Sequence, residues 1–302
     1  MIYFYLFVFL FLSVFFKIPI IALIGGIIFS LIFVTKKNFI TKKFSTIILQ
    51  TGIVLMGFSI NFQSAINLTT QYLPAISLFV ISTFIFVFLL GLILNIDKKY
   101  SLLVASGSSI CGGTAMISIA PIIKPKNEDL AAALSILFIL NAIGILLFPI
   151  VGDLLYLSQT QFGAWAATVI HDTSAVIGAS MNYGFESLET ASTLKLARTL
   201  WLIPLVFSLS IISRHEKKYF PIPLFVLFFV IAIFIGSYFK VPIEKEFVRD
   251  FSQIILLAGL FSVGTQISLK SMRNINIKKL IFPIISWIII IPFSFFIINL
   301  VT

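Results

Sequence analysis

Charged side chains make up only 11% of this 302-residue chain, where a soluble globular domain carries about 25%. Too few are present to clothe a chain that is 60% hydrophobic, with a mean hydropathy of +1.14. Much of its surface must therefore face lipid, because folding in water would leave large exposed apolar patches. A soluble enzyme or soluble binding module is excluded. Cysteine occurs once, as Cys111, so no intramolecular disulfide can form. One cysteine and two histidines do not make a metal-ligand cluster. There is no phosphate-binding loop and no dinucleotide fingerprint, and neither metal nor cofactor is expected. The apolar run 2–16 lacks a basic leader and a small-residue cleavage site, so it reads as a retained helix and not a signal peptide.

What remains is apolar sequence long enough to cross a bilayer repeatedly, at roughly 20 residues per crossing. The segments are 2–16, 18–35, 44–60, 74–95, 101–122, 129–150, 160–183, 190–212, 222–239, 248–268 and 280–301. Pro19, Pro74, Pro223 and Pro283 lie at or near segment starts, where a missing N–H does no harm. This is an all-α, multi-pass membrane protein forming a single domain over 1–302. The regions 1–97 and 220–302 read as scaffold and 98–219 as core.

The net charge of +10 is not a nucleic-acid footprint, because its sources sit in short loops. They are Lys36, Lys37, Lys42 and Lys43; Lys98 and Lys99; Arg214, Lys217 and Lys218; and Lys270, Arg273, Lys278 and Lys279. Such loops face the cytoplasm. The stretches 61–73 and 150–162 have no Lys or Arg and should be external, while Asp153 and the charges at 244–250 read as ordinary loop residues. Treating every segment as a full crossing contradicts these assignments. The conflict disappears if 101–122 and 160–183 enter and leave on one side as re-entrant hairpins, leaving nine crossings. Broken helices that do cross are the alternative. Irregular backbone at this depth requires protein or a water-filled cavity around it.

The chain also repeats itself. Phe44–Gly52 matches Phe251–Gly259, and Pro74, Ile76, Ser77, Ile81, Phe84 and Phe86 align with Pro283, Ile285, Ser286, Ile290, Phe293 and Phe295. Ile110–Ile117 echoes Ile170–Ile177 more faintly. On the topology above the first two copies face opposite ways. Inverted repeats with interrupted helices mark secondary transporters, whose site lies near the midplane.

Three polar constellations sit in these segments. The first is Ser106, Gly107, Ser108, Ser109, Cys111, Gly112, Gly113 and Thr114, whose glycines can break a helix and whose freed N–H groups suit an anion's oxygens. A small-residue packing face is the plainer account. The second is His171, Asp172, Thr173 and Ser174; ionisable groups inside a membrane segment usually face a cavity. His171 and Asp172 are candidates for ion coupling, or a structurally satisfied pair. A hydrolase using Ser108 or Ser109 lacks a nucleophile elbow. The third is Lys195 and Arg198, three apart on one helix face. Arg198 presents a fork suited to an oxyanion or snorkels to the interface; Lys195 is the stronger snorkelling candidate. Asn141 lies mid-segment, while Asn61, Gln63, Thr265 and Gln266 end the repeated helices.

In Ser106–Thr114, Ile170–Gly178 and Lys195–Pro204 the sequence resembles the YeiH-like family of bacterial inner-membrane proteins, the group labelled sulfate exporters. Many members carry Glu where this chain has Asp172. The resemblance implies a multi-pass inner-membrane protein with inverted repeats, a core moving against a scaffold, and often a homodimer. The resulting expectation is a secondary transporter for a small anion such as sulfate, sulfite or an organic sulfonate, with no nucleic-acid partner. Na⁺- or H⁺-coupled transport of another substrate and an intramembrane hydrolase are the alternatives.

Overall fold

The computed structural model describes residues 2–33, 40–212, 224–239, 244–266 and 276–301, the side chains of Lys42 and Lys43 excepted. Of the basic residues used to orient the chain, Lys36, Lys37, Arg214, Lys217, Lys218, Lys270 and Arg273 lie outside the described residues, as does Pro223. Among the described residues the regular structure is helical throughout. In order the helices are α1 (Ile2–Phe15), α2 (Pro19–Phe33), α3 (Ile40–Gly57), α4 (Phe62–Ile93), α5 (Lys98–Ser109), α6 (Gly113–Ile123) and α7 (Asn127–Leu154). There follow α8 (Gln159–Val169), α9 (Thr173–Tyr183), α10 (Phe185–Thr199), α11 (Leu202–Ile212), α12 (Leu224–Tyr238), α13 (Lys245–Gly264) and α14 (Ile277–Asn299). The α4, α7, α13 and α14 helices and the α10–α11 pair are long and apolar enough to cross a membrane.

Several expected boundaries move. The stretch 62–73, expected as an external loop, is the start of α4, begun by Asn61 accepting from the Ser64 N–H at 3.1 Å. Pro74 and Pro283 therefore lie inside helices, not in their first turns, and among the described residues only Pro19 opens one. Lys245–Asp250 belongs to α13, and Arg249 stacks on the Phe185 ring at 3.7 Å.

Both interrupted segments are re-entrant. Lys99 at the start of α5 donates its ammonium to the Lys124 carbonyl just past α6, at 2.9 Å. A lysine side chain could not reach that far if the two helices ran end to end at 1.5 Å per residue. The second segment closes likewise: Tyr183 Oη donates to the Leu157 carbonyl at 2.6 Å and its ring stacks on Phe162 at 3.9 Å. Between the two hairpin bases runs α7, long enough to cross, so the hairpins enter from opposite faces. In a Cys111→Ala background, cysteines replacing Lys98 and Lys126 should react with an impermeant maleimide from one side, and one replacing Tyr156 from the other. Labelling of Lys98→Cys and Lys126→Cys from opposite sides would contradict the hairpin.

The repeat is visible as reciprocal packing. A Cβ built on Gly52 would lie 2.8 Å from Leu256, and one on Gly259 would lie 3.0 Å from Leu49; these are equivalent positions in the two aligned copies. Thr41 and Thr265 meet at 2.8 Å through their hydroxyls, so α3 and α13 run antiparallel. The next layer obeys the same symmetry. Gly57 closes on the Phe229 carbonyl and Ala232, and Gly264 closes on the Leu23 carbonyl and Gly26, which pairs α12 with α2. Glycine is needed here because a Cβ on Gly264 would lie 2.3 Å from the Leu23 oxygen. One copy thus runs α2–α3–α4, hairpin, α7. The other is circularly permuted: hairpin and α10–α11 come first, then α12–α13–α14.

Packing shows which helices lie beside the hairpins. The α4 helix lies along α5 and α10, and α14 lies against α7 and α8, whereas α1, α2, α3, α12 and α13 pack chiefly on one another. The α4 and α14 helices therefore pack against helices of 98–219. The reason is geometric: half-length hairpins cannot cover their own tips and need full-length helices beside them.

Candidate functional site

The tips of the hairpins meet near the middle of the spans. The first break is made by Gly112, at φ 63° and ψ −127°, a conformation open to glycine and strained for other residues. The second is made by extended backbone at Ile170 and Asp172, with the Asp172 carboxylate accepting from the Ser174 N–H at 3.0 Å. The equivalent positions Gly112 and Asp172 touch, since a Cβ on Gly112 would stand 3.2 Å from the Asp172 backbone.

Breaking a helix inside a membrane strands its last carbonyls, and here each finds a donor. At the end of α8, Ala166 accepts from the Ile170 N–H. Ala167 and Thr168 accept from Arg198 Nη1 at 2.8 and 2.7 Å. Val169 accepts from Trp287 Nε1 at 2.9 Å, and Ile170 from Lys195 Nζ at 2.8 Å. At the end of α5, Ser106 and Gly107 accept from the Ile110 and Gly112 N–H groups. Ser108 and Ser109 accept from Arg198 Nη2 and Nε at 2.6 and 2.8 Å, and Ile110 from Lys195 at 3.2 Å. Both cations are fully buried, and Phe79 of α4 lies beneath the guanidinium at 4.9 Å. A cation at a helix C-terminus also offsets the negative end of its dipole. One arginine and one lysine thus tie the two hairpins together.

The model of a family described as conserved hypothetical protein 698 matches residues 6–283. A UPF0324 membrane protein of Bacteroides thetaiotaomicron is 36% identical over 275 residues, covering 90% of this chain and 83% of the relative. One from Photobacterium profundum is 37% identical over 277 residues, with the same coverage of each. A third, from Geobacter sulfurreducens, is 31% identical over 272 residues, 89% of this chain and 87% of the relative. This chain belongs to the UPF0324 family of membrane proteins. No solved structure matches it. With bacterial relatives named as membrane proteins and helices fit to cross a bilayer, this UPF0324 chain is a multi-pass inner-membrane protein.

The remaining expected site residues of the UPF0324 chain divide into spent and open groups. Arg198 has little of its fork left for an anion, because four of its five N–H groups are matched by carbonyls. Lys195 does not snorkel, being fully buried. Ser106 and Ser109 hydroxyls bond back to Leu103 and Ser106 carbonyls. Gly107 makes room for Met116, Ser108 and Cys111 are buried, and Gly112 shapes the break. In the first constellation only the start of α6 stays open. Gly112 provides no side-chain cap, the N–H groups of Gly113 and Thr114 have no acceptor among the described residues, and Thr114 is exposed.

Across the contact, Asp172, Thr173 and Ser174 are half-exposed at the start of α9. Asn141 accepts from the Asp172 N–H through Oδ1 at 3.4 Å, while its Nδ2 is buried without a partner among the described residues. His171 is buried against Trp287, ring centroids 5.6 Å apart, and neither ring nitrogen has a partner among the described residues. Trp287 was not singled out by sequence. Its only signal there is its place inside the Pro283–Phe295 stretch that repeats Pro74–Phe86.

Proposed function

We propose that this protein is a secondary transporter of a small oxyanion. The anion would be held where the starts of α6 and α9 meet, by the N–H groups of Gly113 and Thr114, the hydroxyls of Thr114, Thr173 and Ser174, and Asn141 Nδ2. The observation that carries this reading is the division of labour at the breaks. Helix ends with negative dipoles are covered by Arg198, Lys195 and Trp287, while at the start of α6 the Gly113 and Thr114 N–H groups and the nearby Asn141 Nδ2 have no partner among the described residues. Sulfate, sulfite and organic sulfonates have the matching oxygens, and Asp172 at the start of α9 would be the group that couples a proton.

The same geometry disfavours Na⁺ coordination by unwound backbone, since those carbonyls already accept from cations. A hydrolase would need Ser108 or Ser109 bonded to His171, and neither ring nitrogen of His171 has a partner among the described residues. The test is counterflow of radiolabelled sulfate and sulfite in proteoliposomes. Asn141→Leu should lower flux at least about tenfold while shifting unfolding by no more than about 1 kcal/mol, the net worth of one hydrogen bond. Unchanged flux in this variant would remove Asn141 and the α6–α9 junction from the binding site.

A further inference from the structure

Resting on the anion reading above, the charges at the two breaks can be counted. Four helix ends converge there: the C-termini of α5 and α8 and the N-termini of α6 and α9. Each end acts as about half an elementary charge, so two negative and two positive ends cancel. Arg198 is always protonated. Lys195 Nζ stands 2.8, 3.2 and 3.5 Å from three carbonyl oxygens; these match an ammonium's three N–H groups and give an amine lone pair nothing to accept. Against these two cations stands one carboxylate, Asp172, within electrostatic reach of Lys195. His171 counts as neutral, because a protonated ring there would be a buried charge without an anionic partner.

The other groups around Asp172 do not alter the count. Cys111, across the contact, is a buried thiol. Asn141 is the neighbour from α7. The packed helix α2 has no ionisable side chain, and the part of α13 near α9, around Leu260, has none either. Two cations and one carboxylate leave one positive charge, and burying it unneutralised is costly.

We infer that the site is built to accept one net negative charge: a monovalent oxyanion while Asp172 is ionised, and a divalent oxyanion only together with a proton on Asp172. In the second case the proton comes from solvent and stays on the carboxyl, so that ion and proton enter together. Isothermal titration of the full chain in detergent with potassium nitrate and potassium sulfate tests this. Each titration is repeated in two buffers of different ionisation enthalpy to count protons. Sulfate should take up about one proton per ion, with affinity rising about tenfold per unit fall in pH, whereas nitrate should take up none. Asp172→Asn keeps a side chain able to cap α9 and should bind sulfate with no proton uptake. Sulfate binding without proton uptake by the unmodified protein would overturn the charge rule and leave the anion site standing. Binding of Na⁺ with neither anion bound would instead defeat the anion reading itself.

Discussion

Arg198→Met is expected to be the most damaging single substitution in the core. It leaves the carbonyls of Ser108, Ser109, Ala167 and Thr168 without donors at a fully buried position. An unsatisfied buried group costs about 1–3 kcal/mol, so the four together predict a loss of at least about 4 kcal/mol. Because the stranded carbonyls belong to two hairpins, the tips should separate, and transport should fall with stability. Arg198→Lys should recover little, since an ammonium cannot span both helix ends as the planar fork does. Denaturant unfolding in micelles measures the loss. A methionine variant within about 1 kcal/mol of the unmodified protein would mean that the guanidinium is free of the hairpin tips, and would return it to the list of anion ligands.

Gly112→Ala is expected to cost about 3 kcal/mol, whereas Gly113→Ala, one residue along, should cost less than about 1 kcal/mol. The two glycines look equivalent in sequence and are not equivalent in space. Gly112 has φ 63°, where a side chain is strained by about 1–3 kcal/mol, and its Cβ would stand 3.0 Å from Leu137 and 3.2 Å from the Asp172 backbone. A Cβ on Gly113 meets only the end of Leu134, at 3.2 Å, and that side chain can turn away. Thermal unfolding of the two variants side by side is the measurement. Equal losses would show that the break is set by general crowding and not by backbone conformation at Gly112.

Much of this organisation was readable before any coordinates. Loop charges favoured two re-entrant segments over broken helices that cross, and the Lys99–Lys124 and Tyr183–Leu157 closures fit the hairpins. The faint match of Ile110–Ile117 to Ile170–Ile177 was meaningful, since Ile110 and Ile170 both end the first half of a hairpin and Gly112 and Asp172 both begin the second. The start of α4 was missed because Phe62–Leu73 mixes Gln, Asn and Thr with apolar residues. Its helical state follows from the Asn61 cap and from packing, and Pro74 gave a false boundary. The roles of Lys195 and Arg198 were half legible: their spacing put them on one helix face, but what that face meets is a matter of tertiary contact.

Residence in lipid, the interruption of two segments, the inversion of the repeat and the identity of the polar residues follow from composition and order along the chain. Each depends on a local property: hydropathy over a window, the freedom of glycine, the sidedness of lysine. Which polar groups are free to meet a ligand does not follow from order. It depends on which donors and acceptors already satisfy one another across elements distant in sequence. Tertiary packing gave Arg198 and Lys195 to the stranded carbonyls, brought Trp287 to the end of α8, and left the start of α6 open beside Asn141.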